Sequence, residues 1–397
     1  MTVIDWTEGG ARRSAIWHSE NRTPAPTQVA VVSDDITADA AFRLARSGTA
    51  LLWRGDYHNG RQLLQAMDRR LKRQGTRGRR SRRGGSGRDG SKRGSGRDGS
   101  GPDSAAGTFE AQRRFNAERS RVLGCLIVEL GDDYRLDLRR APAVGPACEA
   151  AYGPSSGPMC VSLTELSGVL SAYQWQLKGV AVPALGEDIH PRYGVFSPIR
   201  GEYVDLVARA PLGGNVPETA FDLGTGTGVL AAVLLRRGIG HVVATDINPR
   251  ALTCARENLD RLGHGTAAEV LEADLFPPTG RAELIVCNPP WLPARPNSAL
   301  EAGIYDPESD VLHRFIDGLS ERFTPSGEGW LILSDLAEHL GLRTREGLME
   351  RIADAGLRVH DRHETTPRHP RASDAADELH RARGAEVTTL WRLRLAD

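Results

Sequence analysis

The sequence predicts an α/β protein in which a doubly wound, mainly parallel sheet over residues 186–397 follows a smaller α+β domain. Three observations predict it. From Thr219 onward, apolar runs alternate with glycine turns and helical patterns, the signature of strands joined by crossover helices. The first of these runs closes on "FDLGTGTG". Upstream, shorter elements of both kinds are interrupted by a run of basic and glycine residues. At 397 residues the chain exceeds one ordinary core, so two or three domains are expected.

In the N-terminal part, Ala41, Leu44 and Ala45 share a helical face. "ALLW" at 50–53 is a short strand, and Leu63, Leu64, Met67 and Leu71 recur at helical spacing. "CLIVEL" and "YRLDLRR" predict two strands around a Gly-Asp turn. A Ser-x-x-Glu capping box, Ser162 to Glu165, opens a helix over 162–177. Residues 1–74 and 108–185 are therefore expected to form the smaller domain, in which no catalytic constellation stands out.

Between the two pieces, Arg69–Arg97 holds thirteen Lys and Arg against one acid, Asp89, and "SGRDGS" occurs twice, at 86–91 and 95–100. With almost no apolar residue, 75–107 cannot offset its conformational entropy by burial and is expected to be a disordered basic linker. It is either a solvated insertion or an arm that contacts RNA or the ribosome through counterion release.

Net charge is zero, so the overall balance implies no polyanion partner. No apolar stretch approaches the ~20 residues of a membrane span, and the N-terminus lacks the apolar core of a secretion signal. Five cysteines without a CxxC pair argue against a disulfide framework or a zinc site and fit a reducing cytoplasm. No metal site is expected.

The C-terminal elements follow in order: "AFDLGTG" with the helix "VLAAVLLRRG", "HVVATDI" with "NPRALTCARENLDRLG", "ELIVCNPPW" with "DVLHRFIDGLSERF", then "GWLILSDL" and finally "EVTTLWRLRL". In such sheets ligands lie beyond the carboxyl ends of the strands. Gly224, Gly226 and Gly228 let the backbone pass close under a ligand, with Thr225 and Thr227 between them. Val229 stands where a dinucleotide fingerprint needs its third glycine. Asp222, just before the turn, repels phosphate and attracts an ammonium. Asp246, ending the next strand beside Ile247, can accept both hydroxyls of a ribose. Asp274, beside Leu275, stands at the end of the third strand, where an adenine amino group would arrive. Acid, glycines, acid, acid describes S-adenosylmethionine, which has an amino-acid tail, a ribose and an adenine but no phosphate.

The fourth unit ends in Asn288, Pro289, Pro290 and Trp291. Two prolines remove two donors and stop any strand or helix, leaving the carbonyls of Asn288 and Pro289 to find partners elsewhere. Here the chain resembles the class I S-adenosylmethionine-dependent methyltransferases, specifically the small-domain, HemK-like group with an Asn-Pro-Pro-aromatic motif. The resemblance covers about residues 185–397 and implies a Rossmann-like methyltransferase sheet. It also implies that Asn288 Oδ1 and the Pro289 carbonyl accept the two N–H bonds of a planar nitrogen, pull it toward a pyramidal geometry and aim it at the methyl group. Such bonds tighten as charge grows on nitrogen. Trp291 would offer a flat face to the substrate, and Asn288 would also border the cofactor.

The nearest look-alikes, the HemK-type protein-glutamine N5-methyltransferases, act on release factors or a ribosomal protein and share the Gly-Thr-Gly-Thr-Gly of 224–228. "FSPIRGEYVDLVARA" (196–210) resembles their Pro/Arg/Glu segment. Trp291 stands where they usually carry tyrosine, and the long N-terminal domain departs from the helical bundle of the release-factor enzymes. The expected acceptor is a glutamine of a translation-related protein. The alternative is an exocyclic base amine, adenine N6 or guanine N2 of ribosomal RNA, flipped onto Trp291 and favoured by the basic run. A non-catalytic cofactor-binding module is disfavoured by intact Asn288 and all three acids.

Overall fold

β1 (Val3–Glu8) and β2 (Ala11–Trp17) form an antiparallel hairpin across Gly9 and Gly10, both at positive φ. Two left-handed residues are what a tight hairpin turn needs. The computed structural model describes residues 2–84, 104–296, 300–367 and 379–396, with the side chains of 75–84 excepted. The chain divides into two compact units, Met1–Gly99 with Glu110–Tyr173 and Ser100–Phe109 with Gln174–Asp397.

The first unit continues with β3 (Val29–Val32), α1 (Ala38–Arg46), β4 (Ala50–Trp53), α2 (Tyr57–Gly84), α3 (Ala105–Gly124, which reaches into both units), β5 (Leu126–Leu130), α4 (Gly145–Tyr152), β6 (Met159–Ser162) and α5 (Leu163–Lys178, which also reaches into both units). Its six strands lie in the order β1-β2-β6-β5-β4-β3. β3, β4 and β5 run parallel, and β6 is antiparallel to β5. Ile4, Trp6, Leu52, Ile127 and Cys160 share its core.

Three expectations are corrected here. "YRLDLRR" forms no second strand, because β6 takes the free edge of β5. Arg139 and Arg140 turn to the buried Asp56 carboxylate, at 3.0 Å and 2.6 Å. Arg140 above all holds that carboxyl well below its ordinary range. The basic linker expected over 75–107 loses both ends to helix, since α2 runs to Gly84 and α3 starts at Ala105. Arginine and lysine are good helix formers, and Leu63, Met67 and Leu71 anchor the preceding turns in the core. The rest of that linker, 85–103, lies outside the described residues. Finally, the boundary expected at 185/186 falls at 173/174, because Val182, Leu185 and Ile189 pack into the second core. The capping box of α5 forms by half. Ser162 Oγ accepts from Glu165 N at 3.0 Å, while the Glu165 carboxylate accepts from Glu20 N and the Tyr152 hydroxyl, each at 3.1 Å.

The second unit opens with the hairpin β7 (Val180–Val182) and β8 (Glu187–Ile189), followed by α6 (Glu202–Arg209), β9 (Thr219–Leu223), α7 (Val229–Arg236), β10 (His241–Asp246), α8 (Pro249–Arg261), β11 (Ala268–Glu272), β12 (Ala282–Cys287), α9 (Asp310–Arg322), β13 (Phe323–Ser334), α10 (Leu336–His339), α11 (Arg345–Asp354), β14 (Leu357–Thr365), α12 (His380–Ala385) and β15 (Thr388–Leu395). Seven strands form one sheet, β11-β10-β9-β12-β13-β15-β14. The first five run parallel, and β15 is antiparallel to both neighbours. This is the doubly wound architecture the sequence predicts.

Alternation along the central strands fills both faces. Leu284 and Val286 of β12 join α6, α7 and α8 in one core, and Ile285 and Cys287 join α9 and α11 in the other. Each such aliphatic side chain contributes ~1.5–3 kcal/mol by leaving water. Strand order reverses between β9 and β12, whose following strands β10 and β13 lie on opposite sides of the pair, and ligands of such sheets bind outside that point. Among the described residues, no helix is long and apolar enough to cross a membrane.

Candidate functional site

Register sets the site. Leu223 of β9 pairs with Thr245 of β10 on one side and with Cys287 of β12 on the other. The next residues, Gly224, Asp246 and Asn288, therefore stand level at the carboxyl ends of three adjacent strands, spaced ~4.8 Å apart.

Gly224, Gly226 and Gly228 have φ of +72°, +56° and +80°, a region that costs other residues ~1–2 kcal/mol. A Cβ added at Gly224 or Gly226 would meet no atom within 4 Å, whereas one at Gly228 would lie 3.1 Å from Ala255 Cα. The first two glycines thus turn beneath open space, and the third lets α7 close on α8.

Asp222 is buried beneath this turn. Its Oδ2 accepts from Thr225 Oγ1 at 2.6 Å and from Ala231 N at 3.0 Å. It therefore satisfies a first-turn N–H of α7 from outside the helix. Burial pushes its carboxyl up to about 6, with Asp246 adding like charge and the two hydrogen bonds pulling the other way. The sequence placed Asp222 against an ammonium; in the structure its Oδ2 is taken up by Thr225 and Ala231, which fastens the loop to α7.

Asp246 is half-buried. Oδ2 accepts from Gly226 N at 3.0 Å and Oδ1 from Asn248 N at 2.8 Å. Burial raises its carboxyl, opposed by these backbone donors. Each oxygen retains a second lone pair for a ligand hydroxyl. Ile247 beside it is exposed.

Asp274 is placed differently from its expected position at a strand end. β11 stops at Glu272, and the exposed Asp274 carboxylate pairs with Arg314 at 3.0 Å. Leu275, at φ +78°, is buried, and its carbonyl accepts from Thr245 Oγ1 at 2.5 Å.

Asn288 is half-buried, as is Trp291, whose ring packs against both cores. Trp291 Nε1–H donates to Asn288 Oδ1 at 2.9 Å. Indole nitrogen is only a donor, so this bond decides which way the Asn288 amide faces and uses one lone pair of its oxygen. Among the described residues, no backbone N–H bonds the carbonyl of Asn288 or Pro289. Tyr305 and Asp306 come beside the motif, Asp306 N donating to Leu292 O at 2.9 Å. The buried Asp306 carboxylate accepts from Val311 N and Leu312 N, each at 3.2 Å, and caps α9.

Two supports escaped sequence reading. Asn258, buried on α8, donates from Nδ2 to Thr227 O at 3.1 Å and accepts His190 N at 2.9 Å. It pins the glycine turn to the segment before α6. A polar residue on the face that carries Ala251, Ala255 and Leu259 was the available signal. Thr245, holding Leu275, carried none.

Two strand-end carboxylates, an open glycine turn and no third fingerprint glycine fit a cationic, hydroxyl-bearing ligand better than a phosphate.

Residues 189–345 match the family model described as methyltransferase small domain. The chain is 41% identical over 93 residues to a release factor glutamine methyltransferase of Cereibacter sphaeroides, covering 22% of this chain and 34% of that protein. It is 44% identical over 71 residues to a ribosomal protein L11 methyltransferase of Pelotomaculum thermopropionicum, covering 18% and 23%. To a release factor glutamine methyltransferase of Geobacter sulfurreducens it is 28% identical over 168 residues, covering 38% and 54%. The chain thus spans between about a quarter and about half the length of these relatives. Over residues 189–345 the chain is thus similar to methyltransferases.

Proposed function

We propose that this domain methylates a planar amide nitrogen, the side chain of a glutamine in a translation-related protein, in the cytoplasm. The observation that carries the reading is the level placement of Gly224, Asp246 and Asn288 on adjacent strands, with the Asn288 and Pro289 carbonyls free of backbone donors among the described residues. The relatives named for release factor glutamine and ribosomal protein L11 support the acceptor class.

When bound, S-adenosylmethionine supplies an electrophilic methyl group. The chain's own residues do the rest. The positive-φ glycines give the ligand close backbone approach, and Asp246 takes ribose hydroxyls through its remaining lone pairs. Asp222 contributes negative charge from beneath. Thr225, Thr227, Ile247 and Leu275 complete the cofactor wall. Asn288 Oδ1, through the lone pair that Trp291 leaves open, and the Pro289 carbonyl accept the two N–H bonds of the acceptor amide. They favour the pyramidal nitrogen and strengthen as its charge grows. Pro290 holds the turn rigid, and holding the nitrogen in line supplies much of the remaining rate.

A second reading, methylation of an exocyclic base amine, is favoured by the thirteen basic residues of Arg69–Arg97, which would bring RNA or the ribosome close. The deciding experiment transfers tritiated methyl from S-adenosylmethionine into ribosomes and lysate of a strain lacking the protein, then digests separately with nuclease and protease. Label that survives nuclease, is lost to protease and maps to methylglutamine supports the amide. Label lost to nuclease refutes it in favour of the base.

A further inference from the structure

A cleft of about 570 Å³ lies at the opposite end of the large sheet from Gly224, Asp246 and Asn288, a volume within the range of small-molecule sites. Its lining comes from the segments where β9, β12, β13 and β14 begin and β15 ends. Gly214, Asn215, Ser326 and Arg358 in that lining are exposed, so the cleft is open to solvent. Leu284 in its wall stands ~13 Å before Asn288 along β12, which separates it from the cofactor end.

Two departures from regular backbone build the cleft. Ala282 pairs with Phe323 and Leu284 with Glu328, so a short step along β12 is matched by a longer one along β13. The surplus, around Pro325, Ser326 and Gly327, swings out as a bulge and forms one wall. The segment before β9, with Gly213 at φ +81°, forms another. Among the described residues, the N–H groups of Gly213, Gly214, Asn215 and Val216 have no hydrogen-bond acceptor.

Arg358, Arg392 and Arg394 line the cleft beside Glu283 and Glu328. The two carboxylates are already engaged. Glu283 Oε2 accepts from Glu218 N at 2.7 Å and Thr219 N at 2.8 Å, which fastens the loop to β12. Glu328 Oε2 accepts from Arg392 Nη2 at 3.2 Å and Arg394 Nε at 2.9 Å, and Asp361, outside the lining, meets Arg392 at 3.3 Å. Arg394 Nη1 has no acceptor among the described residues. Arg358 stands directly opposite Arg394 across β14 and β15. Like charges so placed are destabilising, and an anion held between them offsets that cost.

We propose that this cleft binds a small organic oxyanion, a phosphate monoester or a carboxylate, between Arg358 and Arg394, with the amides of Gly213–Val216 as further donors. A guanidinium fork matches either group through paired N–H bonds. Leu212 and Val216 give the carbon body of the ligand an apolar surface. This binding does not depend on which nitrogen receives the methyl group.

Calorimetric titration of the full chain with glycerol 3-phosphate and with succinate, each against potassium chloride at matched ionic strength, tests the site. At least one of the two is expected to bind with a millimolar or tighter Kd, and the one that binds more tightly names the oxyanion. Arg394→Ala and Arg358→Ala are each expected to weaken that binding about tenfold or more, with affinity for S-adenosylmethionine unchanged. Arg358 is exposed on the edge strand, so Arg358→Ala stands alone should Arg394→Ala fail to fold. Binding of neither anion beyond the chloride control overturns the inference. So does binding that the variants retain in full or that S-adenosylmethionine displaces.

Discussion

Replacing Asp222 with asparagine isolates the charge of the carboxylate under the glycine turn. Both hydrogen bonds to Asp222, from Thr225 Oγ1 and Ala231 N, fall on Oδ2, so an amide oxygen can accept the same pair. Burial carries the native carboxyl from the ordinary 3.8 to about 6. Across that interval the folded chain keeps a proton that the unfolded chain has lost. Stability therefore falls as pH rises from about 3.8 to about 6 and is level beyond it. At about 1.4 kcal/mol per pH unit, the gap amounts to ~3 kcal/mol. Asp222→Asn carries no such term, so its stability relative to wild type should climb by about that amount between pH ~3.5 and ~7. Urea melts of both proteins across this range measure it, and the difference cancels the titrating groups that do not interact with Asp222, Asp246 being the coupled neighbour. A flat difference, or a mutant that loses ground as pH rises, would refute the claim that the Asp222 charge is buried at a net cost.

Three further outcomes are expected. Asn288→Ala should lower turnover by ~2–3 kcal/mol of barrier and leave calorimetric affinity for S-adenosylmethionine nearly unchanged; wild-type turnover would remove Asn288 from the reaction. Asp246→Ala should weaken that affinity by roughly 10–100-fold, and an unaltered Kd would mean that the ribose lies elsewhere. Gly228→Ala, at φ +80° with Ala255 Cα 3.1 Å from the new Cβ, should cost at least about 1–2 kcal/mol of stability; an unshifted denaturant midpoint would contradict the tight α7–α8 closure.

Much of the second unit was legible because its signals are local and periodic. Apolar strands broken by "GTGTG", by "DINP" and by "NPPW" end where the structure ends β9, β10 and β12. Parallel pairing then brings Gly224, Asp246 and Asn288 level, as strand-end logic requires. Side-chain partnerships were not legible. Nothing in "FDLGTGTG" says that Asp222 spends its Oδ2 on Thr225 and Ala231, nor that Trp291 donates to Asn288, because those contacts depend on rotamers chosen after the chain has packed. Asp274 misled because an acid after a strand looks alike whether it faces a ligand or, as here, Arg314. In the first unit, β1 is too short for its alternation to stand out, with Ile4 and Trp6 buried among exposed Val3, Asp5 and Thr7. "YRLDLRR" alternates well enough for a strand, but β6 takes that edge from elsewhere in the chain.

The placement of β15 between β13 and β14 has a kinetic consequence. β14 is made before β15 yet, among the described residues, hydrogen-bonds within the sheet only to β15, so until residues 388–395 dock, the sheet stops at β13 and β14 is not part of it. Antiparallel insertion into an existing edge is a non-local step of the kind that slows folding. During the wait the open flank of β13 and a loose β14 are available for wrong pairing. A late closure of this edge is what such a topology favours, and that closure brings Thr388 beside Ser334. A partly folded chain could hold a complete glycine turn and still lack the far wall of its sheet.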